Sequence, residues 1–149
     1  MISSCRERFS RSIQAEQVKF LEEDISQSEI VNASIVVINF VLQFLSIKER
    51  AELIQKIYQG LVPGGILILS EKIHFDSKKR TDEISCIHHS FKAANGYSKL
   101  EISSKRDSLE GVLVTETEFQ HLDRAKELGF KSSTKLMSNL NFSTYMFQK

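Results

Sequence analysis

The spacing of apolar residues changes several times along the chain and marks out its helices and strands. The first pattern places apolar residues three or four positions apart, which predicts an amphipathic helix: Ile2, Cys5, Phe9 and Ile13. A short apolar run from Val18 to Glu22 comes next, and we expect it to form a strand. The chain is therefore predicted to open with one helix and one strand.

A strand, a helix and another strand are predicted between residues 35 and 72. Ile35 to Phe40 is an uninterrupted apolar run rich in β-branched residues, typical of a strand covered on both faces in a parallel sheet. Ser46 followed by Glu49 predicts a capping box at the start of the helix. Ile66 to Leu69 is a second buried strand, so the segment predicts a right-handed βαβ unit with a ligand crevice at its carboxyl edge.

The end of the central helix carries its own signals. Gly60 is placed for a left-handed C-terminal cap, because glycine adopts positive φ without a steric cost. The following Pro63, Gly64 and Gly65 predict a tight turn into the next strand.

The second half of the chain predicts helices followed by a hairpin. Residues 78 to 110 are polar and helical in pattern, and Thr115 with Glu118 predicts a second capping box. Two strands, near Lys131 to Leu140 and Phe142 to Phe147, are expected to pair as a hairpin. Parallel strands that end in an antiparallel hairpin are typical of class I methyltransferases, so the predicted fold class is α/β and Rossmann-like.

Composition narrows the class of protein. At 149 residues the chain is most simply one domain, and its net charge of +1 gives no global field toward nucleic acid or anionic lipid, so neither partner is expected. No apolar run reaches the roughly 18 residues that span a bilayer, and a cytoplasmic location is the default expectation. Cys5 and Cys86 stand far apart, and we expect buried free thiols rather than a disulfide.

Four segments carry a narrower resemblance, which runs from the first residues of the chain to near its end. They are NASIVVINFVLQFL, KIYQGLVPGGILILSEK, HHSFKAANGYSKLEISSKR and SLEGVLVTETEFQHLDRAKELGF. They resemble the carboxy-S-adenosyl-L-methionine synthases, the CmoA-type enzymes. The resemblance implies conversion of S-adenosyl-L-methionine and prephenate to carboxy-S-adenosyl-L-methionine, phenylpyruvate and water. A separate enzyme then transfers the carboxymethyl group to the wobble uridine of tRNA.

The resemblance also implies site residues. Asp24 and Ile25 match the family's adenine-binding pair, in which a carboxylate accepts from the exocyclic amine and an apolar side chain covers the ring. Asn39 matches an asparagine that contacts the amino acid part of S-adenosyl-L-methionine. Arg106 matches the arginine that holds the added carboxylate, which suits its planar fork of donors. Tyr97 is a further residue for the substrate pocket, with a packing role equally open.

From the residues alone, each of these assignments has a structural alternative. Asp24 could cap a turn, Asn39 could satisfy a local hydrogen bond, and Arg106 could be a solvated surface charge. His88 and His89 near Cys86 suggest a metal site, but without further spaced ligands a helix position is the better interpretation, and no metal is expected.

The family's pattern extends beyond this sequence. The resemblance implies an upstream strand, a glycine-rich loop and a second strand ending in an acidic residue, in a sheet of order 3-2-1-4-5-7-6. None of the six glycines supplies that loop, so we expect an N-terminally truncated form that lacks the first two strands. Its domain is then the C-terminal portion of a methyltransferase-like domain over residues 1–149, with a helical insertion at about 78–112. The strand near Val18 and the edge at Ile35 are expected to lack partners.

Three functional hypotheses follow. The first is a carboxy-S-adenosyl-L-methionine synthase, a transferase expected to form a homodimer, to use S-adenosyl-L-methionine and prephenate, and to supply the tRNA-modifying enzyme. The second is an ordinary methyltransferase on the same scaffold, which has no need for the grip of Arg106 on a carboxylate. The third is a non-catalytic interaction module that docks through its open sheet edge.

Overall fold

The computed structural model describes residues 2–149 and contains one mixed sheet of four strands. The strands are β1 (Ala33–Asn39), β2 (Leu61–Lys72), β3 (Ser132–Asn139) and β4 (Phe142–Gln148). Their spatial order is β1-β2-β4-β3, with β1 parallel to β2 and β4 antiparallel to both of its neighbours. This arrangement matches the last four strands of the expected order, and the predicted hairpin is confirmed.

Within residues 2–149, six α-helices and one short 3-10 helix connect or precede the strands. They are α1 (Ile2–Arg8), α2 (Ser10–Gln14), the 3-10 helix Leu42–Phe44, α3 (Ile47–Gly60), α4 (Lys78–Ala94), α5 (Lys99–Leu109) and α6 (Glu118–Glu127). The predicted opening helix is thus two short helices, divided at Phe9, whose backbone leaves the helical region at ψ 22°. The two helices between β2 and α6 occupy the segment predicted to be helical.

The βαβ unit forms as predicted, because α3 crosses between β1 and β2. The side chain of Ser46 accepts from the backbone N–H of Glu49, and the Glu49 carboxylate accepts from the N–H of Ser46. This capping box satisfies two backbone donors that would otherwise have no partner at the helix start.

The predicted role of Gly60 is wrong, since it is the last residue of α3 and does not adopt positive φ. A Cβ at this position would lie 2.1 Å from the carbonyl oxygen of Ile30. Gly60 is therefore required by the close approach of another backbone segment. The expected turn at residues 63–65 lies inside β2, where Gly64 has φ +79° and the pairing with β1 changes register.

The hydrophobic core lies between α3, α6 and one face of the sheet. Its buried residues are Ile38, Leu42, Leu53, Ile54, Ile57, Leu61, Leu67, Leu69, Ala125, Phe130, Tyr145 and Phe147. β1 contributes to it through one face only, because Ile35 and Val37 on the opposite face are 59% and 55% exposed. The prediction that β1 is covered on both faces is wrong, since no helix of residues 2–149 packs over that side.

Three further sequence predictions are corrected. The segment Val18–Glu22 lies in no strand of the described chain, because it has no neighbouring strand to pair with. The N-cap of α6 is Thr117, which forms a capping box with Gln120, whereas Thr115 is hydrogen bonded to His74. Neither cysteine is buried as predicted, since Cys5 on α1 is half-buried and Cys86 on α4 is exposed.

Among the described residues, no helix combines the length and apolarity that crossing a membrane requires.

Candidate functional site

Polar and aromatic side chains meet at the carboxyl edge of β1 and β2. Asn39 is the last residue of β1 and is exposed on the face it shares with Ile35 and Val37. Phe40 follows with φ +57°, and its ring meets the ring of Phe142 edge-on at 5.8 Å. Because parallel α/β sheets bind ligands beyond the carboxyl ends of their strands, this edge is the expected place for a site.

A buried carboxylate fixes the loop that follows β1. Oε1 of Glu71 accepts from the backbone N–H groups of Val41 at 3.0 Å and Leu42 at 2.8 Å. Burial raises the pKa of Glu71, and the hydrogen bonds from the loop oppose that rise only in part. Glu71 of β2 therefore holds the loop between β1 and α3 in place. The next residue of β2, Lys72, lines the cleft described below.

A cleft of about 510 Å³ opens beside this edge, between the end of β2 and helices α4 and α5. Its lining residues are Lys72, His88, His89, Lys92, Ile102, Lys105, Arg106, Leu109, Glu110 and Leu113. Cationic or titratable nitrogen groups dominate this set, and Glu110 is its acidic member. A cleft with this charge favours an anionic ligand.

The inner part of the cleft holds side chains that are partly removed from water. Burial lowers the pKa of Lys72, and the charge of Lys92 lowers it further. Burial likewise lowers the pKa of His88, with further contributions from Lys92 and Lys72. Lys72 and Lys92 are thus like charges that oppose one another, and a bound anion would relieve their repulsion.

Arg106 lies at the outer part of the same cleft, on the last turn of α5. Its Nε and Nη2 atoms both lie 2.9 Å from Oδ1 of Asp107, and both side chains are more than half exposed. An exposed pair of this kind contributes little to stability. The guanidinium is thus available to exchange Asp107 for a ligand carboxylate, and the predicted role of Arg106 in binding a carboxylate stays a prediction.

Asp24 and Ile25 lie in a turn packed on α3. Oδ1 of Asp24 accepts from the backbone N–H of Ser26 at 2.8 Å, and these hydrogen bonds from Ser26 lower the pKa of Asp24. Ile25 packs against the core, and Lys56 donates to the carbonyl of Ser26. The turn-capping role of Asp24 is present in the structure, while the predicted adenine-binding role of this pair stays a prediction.

The cleft unites some of the predicted site residues and not others. It includes Arg106, but its lining omits Asp24, Ile25, Asn39 and Tyr97, and Tyr97 is 56% exposed between α4 and α5. Sequence reasoning missed Lys72, Lys92 and the place of His88 in the cleft. The position of Lys72 at the carboxyl end of a parallel strand was the available signal.

Within residues 2–149, no group of three or more His, Cys, Asp or Glu side chains is placed to hold a metal ion.

Comparison with curated proteins confirms the resemblance to the carboxy-S-adenosyl-L-methionine synthases. The protein of that name from Hydrogenovibrio crunogenus is 51% identical over 129 residues, which cover 87% of this chain and 51% of the relative. The one from Actinobacillus pleuropneumoniae serotype 5b is 44% identical over 149 residues, which cover 100% of this chain and 62% of the relative. The chain thus spans between half and two thirds of the length of these relatives. No family model matches the chain.

Solved structures confirm the predicted fold class, a part of the class I methyltransferase fold. The S-adenosylmethionine-dependent methyltransferase SibL aligns with a TM-score of 0.63 at 13% identity, over 99% of this chain and 40% of SibL. Human N-acetylserotonin methyltransferase in complex with SAM aligns with a TM-score of 0.59 at 16% identity, over 90% of this chain and 34% of that protein. At these identities the likeness concerns the fold.

Proposed function

Because the chain is related in sequence to the carboxy-S-adenosyl-L-methionine synthases across most of its length, we propose that the whole protein makes carboxy-S-adenosyl-L-methionine. Its substrates are S-adenosyl-L-methionine and prephenate, and phenylpyruvate and water are the other products. The observation that carries this proposal is the cationic cleft with Arg106 on its rim, since prephenate carries two carboxylates.

The proposed reaction balances without an external oxidant or reductant. The bond between the prephenate ring and its carboxylate breaks, and its electron pair aromatises the ring and expels the ring hydroxyl as hydroxide. The hydroxide removes a proton from the methyl group of S-adenosyl-L-methionine, which gives water and a sulfur ylide. The ylide carbon then bonds to the released carbon dioxide, which becomes the new carboxylate.

In this proposal the residues of the chain bind and orient the substrates, and none forms a covalent bond to them. The guanidinium of Arg106 forms two charge-assisted hydrogen bonds to the new carboxylate, which a methyl group could not accept. Apolar side chains of α5 and the segment after it, Ile102, Leu109 and Leu113, border the cleft and limit the access of water. Exclusion of water strengthens the electrostatic interactions between the cations and the substrate.

The remaining parts of the site belong to the same proposal. Asp24 and Ile25 bind the adenine, Asn39 contacts the amino acid moiety, and Tyr97 lies near the substrate. Helices α4 and α5 lie within a helical insertion of about 78–112 in a single methyltransferase-like domain over residues 1–149, which works as a homodimer. The product then serves the enzyme that transfers the carboxymethyl group to the wobble uridine of tRNA. The sequence resemblance supports these assignments.

Isotope tracing tests the proposed reaction. A chain lengthened to the span of its relatives is incubated with S-adenosyl-L-methionine and prephenate labelled with ¹³C in the ring carboxylate, and the products are analysed by mass spectrometry. We expect the label in carboxy-S-adenosyl-L-methionine and none in phenylpyruvate. Methylated products without any carboxylated S-adenosyl-L-methionine would favour an ordinary methyltransferase and overturn the proposal.

A matched pair of variants tests the role of Arg106. Loss of two charge-assisted hydrogen bonds in Arg106→Ala is expected to lower the yield of the carboxylated product about 10- to 100-fold. The control is Lys79→Ala, which removes an exposed cation of α4 whose partner is Glu83. Equal activity of the two variants would remove Arg106 from the proposed mechanism.

A further inference from the structure

The cleft has an inner and an outer half that differ in burial and in charge pairing. Lys72, His88, His89 and Lys92 are half-buried, whereas Lys105 and Arg106 are exposed, and His89 also lines the neighbouring pocket that includes Arg106. Arg106 already has Asp107 as its ion-pair partner. Neither Lys72 nor Lys92 forms an ion pair with any carboxylate of residues 2–149. The inner half therefore holds unneutralised positive charge in a partly desolvated place, which is costly without an anion.

The geometry of the inner half is set by rigid elements. Lys72 ends β2 and pairs in register with Phe142 at the start of β4. His88 and Lys92 are four residues apart and so lie on one face of α4, one turn from each other. The ring of His88 meets the ring of Phe142 edge-on, with centroids 5.1 Å apart. The end of β2 and one face of α4 thus hold Lys72, His88 and Lys92 around the contact between the rings of His88 and Phe142.

We infer that Lys72, His88 and Lys92 form an anion subsite, distinct from Arg106, that binds the carboxylate of a 2-oxo acid. Lys72 and Lys92 donate charge-assisted hydrogen bonds to the carboxylate, and a ring N–H of His88 donates to the adjacent keto oxygen. Glu110, the acidic residue of the cleft lining, is the C-cap of α5 and follows Arg106 by four residues.

This assignment rests on the proposed function and deepens it. Prephenate carries one carboxylate on the ring, which is transferred, and one on its 2-oxo acid side chain, which remains in phenylpyruvate. Two chemically different carboxylates need two subsites, and the cleft offers an exposed one at Arg106 and a half-buried one at Lys72. Holding the side chain that does not react leaves the ring carboxylate free to depart toward Arg106.

Phenylpyruvate is the probe, because it has the 2-oxo acid and lacks the ring carboxylate. Its binding to the 149-residue chain is measured by calorimetry without S-adenosyl-L-methionine, so no turnover is needed. Lys72→Met and Lys92→Met are each expected to weaken binding about tenfold or more. Lys72→Arg keeps the positive charge and is expected to keep most of the affinity for phenylpyruvate. Lys79→Met, on the exposed face of α4, is expected to leave that affinity unchanged. Arg106→Ala is expected to leave phenylpyruvate binding within about twofold.

The outcomes separate this subsite from the proposed reaction. Phenylpyruvate binding that depends on Lys72 supports the subsite even where no carboxy-S-adenosyl-L-methionine is formed. The inference is overturned when the chain fails to bind phenylpyruvate, when the methyl ester of phenylpyruvate binds equally well, or when Arg106→Ala weakens binding as much as Lys72→Met does. Circular dichroism of each variant confirms that an affinity change is not a loss of fold.

Discussion

Nη1 of Arg50 lies 2.8 Å from Oε2 of Glu116, and both side chains are almost completely buried. Arg50 also donates to the backbone carbonyls of Leu45 at 3.0 Å and Val114 at 2.7 Å. Oε1 of Glu116 accepts a hydrogen bond from Arg124 of α6. Burial alone would raise the pKa of Glu116, but Arg124 and Arg50 outweigh it and lower that pKa. The first turn of α3 is therefore tied to the segment that leads from the cleft into α6.

Removal of the charge of Glu116 is expected to destabilise the fold strongly. Glu116→Gln leaves the buried guanidinium of Arg50 without its counterion, which costs about 3–5 kcal/mol in the free energy of unfolding. Urea denaturation at pH 7 measures the change. The control, Glu52→Gln, breaks an exposed pair with Lys48 and is expected to cost less than about 1 kcal/mol. Similar losses in both variants would contradict a structural role for the buried pair.

The free energy of unfolding is expected to decrease as the pH is lowered below about 6.5, because of His121. Burial, together with the charges of Arg124 and Arg50, lowers the pKa of His121 to about 4, although Glu116 opposes the shift. Between the usual pKa near 6.5 and 4, the unfolded chain takes up the proton first, so protons favour unfolding. The loss reaches about 3 kcal/mol at most.

Urea denaturation at pH 7 and pH 5 tests this dependence against His121→Leu. The ring nitrogens of His121 have no hydrogen-bond partner in the described chain, so the variant loses no such bond. The difference in unfolding free energy between the two pH values is expected to be smaller in the variant by about 2 kcal/mol. Equal differences in both proteins would show that His121 does not titrate in this range.

Glu71 is expected to stabilise the fold as a hydrogen-bond acceptor, and its negative charge is not expected to be needed. Glu71→Ala leaves the buried N–H groups of Val41 and Leu42 without partners and costs about 2–3 kcal/mol. Glu71→Gln retains an oxygen for both donors and avoids a buried charge, so its cost is smaller. Thermal unfolding of the two variants compares them, and a larger loss in Glu71→Gln would show that the charge itself is needed.

Gly60 is expected to be more sensitive to alanine than an ordinary helical glycine. Glycine to alanine usually stabilises a helix by about 1 kcal/mol. In Gly60→Ala the new Cβ meets the carbonyl oxygen of Ile30, so we expect a net loss of about 1–3 kcal/mol. Gly96→Ala is the comparison, since that site has open space and its cost comes only from its φ of +91°. Stabilisation by Gly60→Ala in urea denaturation would contradict the close approach.

Asp24→Asn separates the two roles of this residue. The amide oxygen of the variant still accepts from the N–H of Ser26, so the turn and the unfolding free energy are expected to change little. Its amide nitrogen cannot accept from the adenine amine, so the KM for S-adenosyl-L-methionine is expected to rise about tenfold in a chain lengthened to the span of its relatives. An unchanged KM would show that Asp24 caps the turn and does not bind the adenine.

Local patterns were sufficient for most of the elements and for the resemblance in sequence. The run Ile35–Phe40, the capping box of Ser46 with Glu49 and the terminal hairpin were all predicted, because each depends on residues close together in the chain. The errors at Gly60 and Thr115 came from contacts that no local pattern contains, namely the backbone of Ile30 and the ring of His74.

The sequence by itself determined the βαβ unit, the hairpin and the resemblance that singled out Arg106. Only the tertiary structure placed Lys72 beside His88 and Lys92, left one face of β1 uncovered and buried Glu116 between arginines of different helices. The physical reason is that burial and charge pairing depend on which distant segments meet. Periodicity tells which side of an element is apolar, but not which element, if any, will cover it.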